Sequence, residues 1–374
     1  MKTRYPDYTN SNMNISCSIL KYYGCDSRHN SLSVLDDIFQ TKKPRNVVFM
    51  LFDAMGISIL NRHLPEDSFI RRHLVSTLSS TFPPTTVAAT NSINSGLTPL
   101  ETGWLGWITY FKEVDQNVVT FFNTKQSNED EPLNVPHLAY STLLYPSMSY
   151  MVKSANPDIK TMSFSPFPTF PTDSYTKTES IKDSCDRIVD MIKDEGRHFI
   201  YAYWPDPDST MHEKGVDYDS ITLILKEIDR NLESLASKIG DDTLVIVTAD
   251  HSQINAKWFY LCDYPDVWNC MIRPHSIEGR AASLFIKDGM KEQFVKAFKK
   301  HFGDHFILMT HEEFLESELL GSGVPHPRTD GFIGDYVAIS TDEYCFASFH
   351  TDHEHKGMHA GLTEDEMLVP LIVL

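Results

Sequence analysis

The chain has 374 residues, 41% of them hydrophobic, and a formal net charge of -18. That length holds one large α/β domain with insertions or two domains, and the excess of acid argues against long nucleic acids as partners, since these are bound through clustered Lys and Arg. No apolar run approaches the roughly 20 residues of a membrane span, and the first eight residues carry no apolar signal-peptide core, so the expectation is a cytoplasmic protein with no membrane partner.

Residues 1–44 are polar and weakly periodic, and read as an arm or a short helical lead-in. The run 46–52 is an unbroken apolar strand ending in Asp53. Gly56 permits a tight turn into a helix at 57–63, and 74–78 reads as a short strand. Pro83 and Pro84 keep the chain extended, because each proline restricts the residue before it. A helix is expected from Thr86 to Ser95, with Gly96 as its cap. The stretch 123–140 reads as an exposed insertion, and 143–155 and 178–195 read as helices.

A second apolar run, 198–204, leads to Asp206 and Asp208, with His212 four residues further on. An apolar stripe predicts an amphipathic helix over 221–239. A third run, 243–249, ends in Asp250-His251. From 252 to 340 the pattern changes to a Trp/Tyr/Cys-rich segment, a strand at 280–286, a helix at 290–302, a strand near 305–309 and a helix at 311–319. Residues 367–374 make a last apolar strand.

The expected fold class is therefore α/β: a mostly parallel central sheet with helices on both faces, plus a smaller α+β cap insertion. The expected boundaries are a lead-in over 1–44, a core over 45–252 and 341–374, and a cap over 253–340. Six cysteines stand at 17, 25, 185, 262, 270 and 345 with no CxxC pair, which reads as reduced thiols rather than a thiolate metal site.

Three strands that each end in an acid imply a site, because ligands of parallel sheets lie outside the carboxyl ends of the strands. Gathered carboxylates need a compensating cation, and Asp/His sets suit divalent metals. Thr85 and Thr86 sit where an extended segment enters a helix, whose N-terminus carries partial positive charge and free N–H groups. Either hydroxyl reads as a helix cap or, with a metal beside it, as a nucleophile. The aromatic residues Trp104, Trp107, Tyr110, Phe111, Phe121 and Phe122 read as packing or as a place for a base to stack.

Several blocks, in order, resemble the alkaline phosphatase superfamily, in particular its type I phosphodiesterase/nucleotide pyrophosphatase branch. They are Leu51-Phe-Asp-Ala-Met-Gly56, Phe82-Pro-Pro-Thr-Thr-Val-Ala-Ala-Thr90, Ser95-Gly96-Leu-Thr-Pro99 with Glu101-Thr-Gly103, Pro207-Asp-Ser-Thr-Met-His-Glu-Lys-Gly215, Thr248-Ala-Asp-His251, and Gly357-Met-His-Ala-Gly361 followed by Glu366-Met-Leu-Val-Pro-Leu-Ile-Val373.

The resemblance implies an alkaline phosphatase-like core and two divalent metal ions, zinc by preference with manganese as the alternative. One ion would take Asp208, His212 and His359, the last chosen from a group that also holds His350, His353 and His355. The other would take Asp53, Asp250, His251 and Thr86. Thr86 is implied as nucleophile over Thr85, because relatives place it ten residues before the glycine matching Gly96, and it would carry a covalent phospho-threonine intermediate.

The implied activity is hydrolysis of small phosphodiesters or pyrophosphates of nucleotide type, with no Cys-x-Pro-x-Arg block of the sulfatase kind. The alternatives are a phosphomonoesterase or phosphonate hydrolase on the same two-metal core, or a module that keeps the fold and has lost catalysis. One departure stands out: many nucleotide pyrophosphatases carry a phosphate-binding asparagine where this chain has Trp107. Trp107, Lys112 and Arg280 are the expected substrate contacts.

Overall fold

The run Asn46–Phe52 forms a strand in which every residue is buried, as a strand covered on both faces requires. In this computed structural model, which describes residues 1–168, 174–350 and 354–374, it lies between two parallel neighbours, Arg197–Trp204 and Thr243–Thr248. The register sets Phe52 against Trp204 and Leu51 against Thr248, so the three segments leave the sheet along one rim.

Among the described residues the central sheet runs in the order Leu74–Ser79, Leu368–Val373, Thr243–Thr248, Asn46–Phe52, Arg197–Trp204, Ile159–Ser165, Tyr175–Lys177. The last five are parallel, and Leu368–Val373 is antiparallel to both its neighbours. Helices complete the apolar core. Asp219–Ala236, for example, buries Ile221, Leu225, Ile228, Leu232 and Leu235.

Several expected helices shift at their ends for local reasons. The helix expected at 143–155 begins at Met148, after Pro146, with the Ser147 hydroxyl accepting from the Tyr150 N–H. The one expected at 178–195 is Ile181–Met191, capped by Ser180. Thr86–Ser95 forms as expected, and Gly96 ends it in the left-handed region at φ 69°.

Residues 1–44 are helical and are not a loose arm. Asn12–Tyr22 is a helix buried from Asn12 to Leu20, and Ser33–Lys42 is a second. The buried Asn12 amide donates to the carbonyls of Ala249 at 3.1 Å and Asp250 at 2.8 Å, so this segment braces the strand end that carries Asp250.

A second sheet corrects the expected cap boundary. It runs Phe306–Thr310, Tyr336–Ser340, Ala281–Leu284, Ser276–Ile277, Ile108–Phe111, Gln116–Val119, Thr124–Lys125, Asn128–Pro132. Its first four strands come from 253–340, and its last four from the segment after the Thr86 helix. The stretch expected to be an exposed insertion supplies the wholly exposed outer strand Asn128–Pro132. The halves join where Ile277 pairs with Ile108. Gly106 makes that approach possible, since a Cβ there would lie 2.5 Å from the Ile277 carbonyl oxygen.

Among the described residues no helix is long and apolar enough to cross a membrane, and all six cysteines are unpaired.

Candidate metal centre

The shared rim brings the strand-end acids together. Asp53 follows the strand Asn46–Phe52, Asp250 and His251 follow Thr243–Thr248, and all three are buried. Thr86 opens the helix Thr86–Ser95. Its Oγ1 lies 3.2 Å from His251 Nε2 and 3.3 and 3.4 Å from the two Asp53 carboxylate oxygens.

Asp208 and His212 lie one turn apart on the helix Asp208–Lys214, with Asp208 Oδ2 3.3 Å from His212 Nε2. His359 follows the short strand Gly357–Met358. Its ring stacks on His251 at 3.9 Å between centroids, and its Nε2 stands 3.9 Å from Asp208 Oδ1. The seven side chains expected as ligands are thus neighbours.

The donor set fits cations. His212, His251 and His359 set Nδ1 against the carbonyl oxygens of Gly357, Ser252 and Pro84, at 2.8, 3.1 and 3.1 Å. A carbonyl only accepts, so each Nδ1 carries a hydrogen, and in the neutral ring the Nε2 lone pair faces the carboxylates. That is the arrangement of a metal-ligating imidazole. Asp250 Oδ1 accepts from the N–H groups of Ala54 and His251 at 3.1 and 3.0 Å, whereas its buried Oδ2 meets no donor among the described residues.

Ligand atoms of Asp53, Asp250 and His251 lie within 4.8 Å of one another, as do those of Asp208, His251 and His359. Two outer contacts orient the acids: the Tyr203 hydroxyl donates to Asp53 Oδ2, and the Gln253 amide to Asp208 Oδ1.

Burial, then the charges of Asp250 and Asp208, hold the Asp53 carboxyl well above its ordinary range, and burial also raises Asp250. Burial opposes ionisation of both Asp208 and His212, but their mutual attraction outweighs it, lowering the acid and raising the base. Burial and then the neighbouring His251 push His359 well below an ordinary histidine.

The expected substrate contacts divide. Trp107 is at the site: its backbone N–H donates to Glu278 Oε1 at 2.7 Å, and the same oxygen accepts from the Thr85 hydroxyl at 2.6 Å. Its ring lies edge-on to the exposed Phe122. Trp104 and Phe111 are buried core, and Tyr110 lies beneath the Arg273 guanidinium, 3.6 Å from its ring centre.

Lys112 is exposed in the turn at the far end of the strand Ile108–Phe111. Arg280 is wholly buried, bound to Glu366 and to the carbonyls of Tyr344 and Asp342. Arg280 is thus occupied by structural partners, which corrects that expectation, and Lys112 makes no hydrogen bond to the rim residues among the described residues. Of the other histidines near His359, His350 pairs with Asp263 at 3.0 Å, His355 lies beside His212 with ring centres 4.7 Å apart, and His353 is outside the described residues.

Glu278, Tyr203, Gln253 and Asn12 escaped the sequence reading. Gln253 stands two residues beyond His251 and could have been found by proximity. Glu278 and Asn12 reach the site from elements far away in the chain, and nothing local marks them.

Residues 47–361 match the sequence model of a family described as type I phosphodiesterase / nucleotide pyrophosphatase. No curated protein matches the chain in sequence. Among solved structures, murine ectonucleotide pyrophosphatase / phosphodiesterase 5 is similar with a TM-score of 0.66 at 14% identity, covering 87% of each chain. An inactive variant of that protein, in complex with AMP, has a TM-score of 0.64 at 14% identity and the same coverage. Phosphonoacetate hydrolase from Sinorhizobium meliloti 1021, in complex with phosphonoformate, has a TM-score of 0.65 at 16% identity, covering 88% of this chain and 90% of that one. These likenesses establish the α/β fold.

Proposed function

This chain belongs to the type I phosphodiesterase / nucleotide pyrophosphatase family, and from that premise we propose that it hydrolyses small phosphodiesters or pyrophosphates by attack of Thr86 Oγ1 on phosphorus. The observation that carries the reading is the place of that oxygen, at a helix N-terminus and within 3.4 Å of both His251 Nε2 and the Asp53 carboxylate.

Two divalent ions, zinc by preference and manganese otherwise, held by Asp208, His212 and His359 and by Asp53, Asp250, His251 and Thr86, would lower the hydroxyl's pKa and neutralise charge developing on the phosphoryl oxygens. The chain's own residues supply the rest. The N-terminus of the Thr86 helix orients the phosphoryl group through free N–H groups. As the Thr86 oxygen loses its proton and bonds to phosphorus, the bond to the leaving oxygen breaks, giving a phosphorylated threonine that still carries the substrate's other ester group, while the leaving alcohol or phosphate takes up a proton. Water then attacks phosphorus, breaks the Thr86 ester and regenerates the hydroxyl.

The murine relative's complex with AMP supports a small phosphorylated substrate of nucleotide type. Trp107 and Phe122 offer an aromatic edge for a base. A second reading, hydrolysis of a phosphonate on the same core, is favoured by the similarity to phosphonoacetate hydrolase. The unpaired cysteines support a reducing compartment, the cytoplasm.

The test is a screen of nitrophenyl phosphodiesters, nitrophenyl monoesters and phosphonoacetate with the zinc- or manganese-loaded protein, with and without chelator. Chelator-sensitive preference for the diester is the expected result. Preference for phosphonoacetate moves the assignment to the second reading, and inertness toward all three retires both.

A further inference from the structure

Among the described residues three groups of Cys, His, Asp or Glu side chains bring ligand atoms within 4.8 Å of one another. Two of them belong to the rim. The third is Cys262, Asp263 and His350, and it shares no residue with the other two. The sequence conceals this group, because Asp263 and His350 stand 87 residues apart and no CxxC pair marks the cysteine.

Strand register builds it. Lys257–Tyr260 and Tyr344–Ala347 pair in parallel with Tyr260 opposite Ala347, so both chains leave the pair at the same end. Past Tyr260 comes the tight turn Leu261–Asp263, anchored by the fully buried Leu261. Past Ala347 comes Phe349, whose ring meets Trp268 edge-on at 5.1 Å between centroids. His350 follows, its ring stacked on Tyr260 at 4.0 Å. The imidazole is thereby held with Nε2 3.0 Å from both Asp263 carboxylate oxygens. Cys262 Sγ lies 3.9 Å from Oδ1 of the same carboxylate.

These spacings suit a small ion. Bonds of about 2.0–2.3 Å in a tetrahedron set donor atoms roughly 3.3–3.7 Å apart. The observed 3.0 and 3.9 Å fall on either side of that range, within reach of small shifts of side chains at the surface. A thiolate, an imidazole and a carboxylate together favour zinc or cobalt over magnesium or calcium. Asp263 has no Lys or Arg partner among the described residues, and its ion pair is with His350 alone. The two negative charges of thiolate and carboxylate would balance a divalent cation.

We propose that Cys262, Asp263 and His350 bind a zinc-type divalent cation, with water as the fourth ligand. As the ion binds, the Cys262 thiol releases its proton to solvent and the sulfur bonds the metal, while the His350 hydrogen sits on Nδ1 and Nε2 gives its lone pair. With three protein ligands at the surface, the site fills after the rim, while free metal is in excess, and empties on desalting. The Trp258 Nε1–H already holds the His355 carbonyl at 3.0 Å. A cation at His350 adds a second tie on the chain that leads to His359.

The test titrates cobalt into the full-length protein with a phosphine reductant present. The rim offers only oxygen and nitrogen donors, so a thiolate-to-cobalt charge-transfer band reports the third group alone, whether or not the rim hydrolyses anything. The band should saturate with a single equivalent beyond those the rim takes, and zinc should displace it. Cys262→Ala should abolish it. Cys25→Ala, at the other partly exposed cysteine, should keep it, as should Asp53→Asn at the rim. Asp263→Asn and His350→Ala should each weaken cobalt binding at this site by at least the roughly 10–100-fold that loss of an outer partner costs.

Absence of the band in wild type overturns the proposal, as does a band that survives Cys262→Ala. A band that Asp263→Asn and His350→Ala both leave at wild-type affinity also overturns it, since the cysteine would then be binding cobalt by itself.

Discussion

Arg280 donates from Nε to Glu366 Oε1 at 2.7 Å and from Nη2 to Glu366 Oε2 at 2.8 Å, and neither side chain reaches solvent. The remaining N–H groups serve the carbonyls of Tyr344 and Asp342. Glu366 in turn accepts from the Gly361 N–H at 2.8 Å and the Thr363 hydroxyl at 2.5 Å. The pair thus pins the second sheet to the segment that carries His359. Removing one partner of a buried pair strands the other's charge, at a cost of about 3–5 kcal/mol. Arg280→Ala should therefore lower the unfolding free energy extrapolated from a urea titration by that amount while leaving KM of the folded fraction unchanged. Unchanged stability with a raised KM would instead restore Arg280 to a substrate role.

Thr85 and Thr86 are adjacent and chemically alike, but they sit in different surroundings. Thr85 spends its hydroxyl on Glu278 at 2.6 Å, and Thr86 faces His251 and Asp53. Thr86→Ala should reduce kcat on the order of 10³-fold or more, as loss of a nucleophile does, with the fold intact. Thr85→Ala should keep substantial turnover. After rapid acid quench of a turnover mixture, mass spectrometry should find the phosphoryl adduct on Thr86. An adduct on Thr85 would reverse the assignment.

The legible part of this fold was the part written in local pattern. Unbroken apolar runs announced the strands Asn46–Phe52, Arg197–Trp204 and Thr243–Thr248, and the acids at their ends lay where a parallel rim puts them. The strand Ile159–Ser165 passed unnoticed because Lys160, Thr161 and Ser163 interrupt its apolar pattern. The buried helix Asn12–Tyr22 looked soluble because Asn12, Asn14, Ser16 and Ser18 line it, each with a partner. The second sheet's recruitment of Ile108–Phe111 and the reach of Glu278 depend on pairing between segments some 170 residues apart. No window along the chain encodes such pairing, whereas the family resemblance named the expected metal ligands directly.

The three Nδ1-to-carbonyl contacts make a further demand on the centre. If they orient imidazoles for ligation, loss of a ligand should empty a site without unfolding the chain. Metal analysis of the zinc-reconstituted protein should give about two ions per chain. Asp53→Asn and His359→Ala should each reduce that number toward about one. Gln253→Ala, which removes the amide that holds Asp208, should weaken retention by roughly 10–100-fold in a chelator competition, the usual effect of losing an outer partner. Wild-type protein with no metal and full activity would defeat the scheme.

Acid sensitivity should trace in part to His275, remote from the rim acids in sequence and held by the Ser348 hydroxyl at 2.8 Å from its Nδ1. Burial pushes its imidazole down to about 4, whereas an unfolded histidine titrates near 6.5. Between those values the unfolded chain binds a proton that the folded chain refuses. The folded state is therefore favoured in full above about pH 6.5 and loses this contribution as pH falls toward about 4. The difference corresponds to about 3 kcal/mol at the acid end. Urea midpoints measured from about pH 7 down to about pH 4 should fall more steeply for wild type than for His275→Asn, whose side chain does not titrate. The variant starts lower at neutral pH for want of the imidazole's packing, so the slope and not the starting value carries the comparison. Parallel slopes would show that the imidazole ionises equally well in both states, and that burial at this position leaves it free to take a proton.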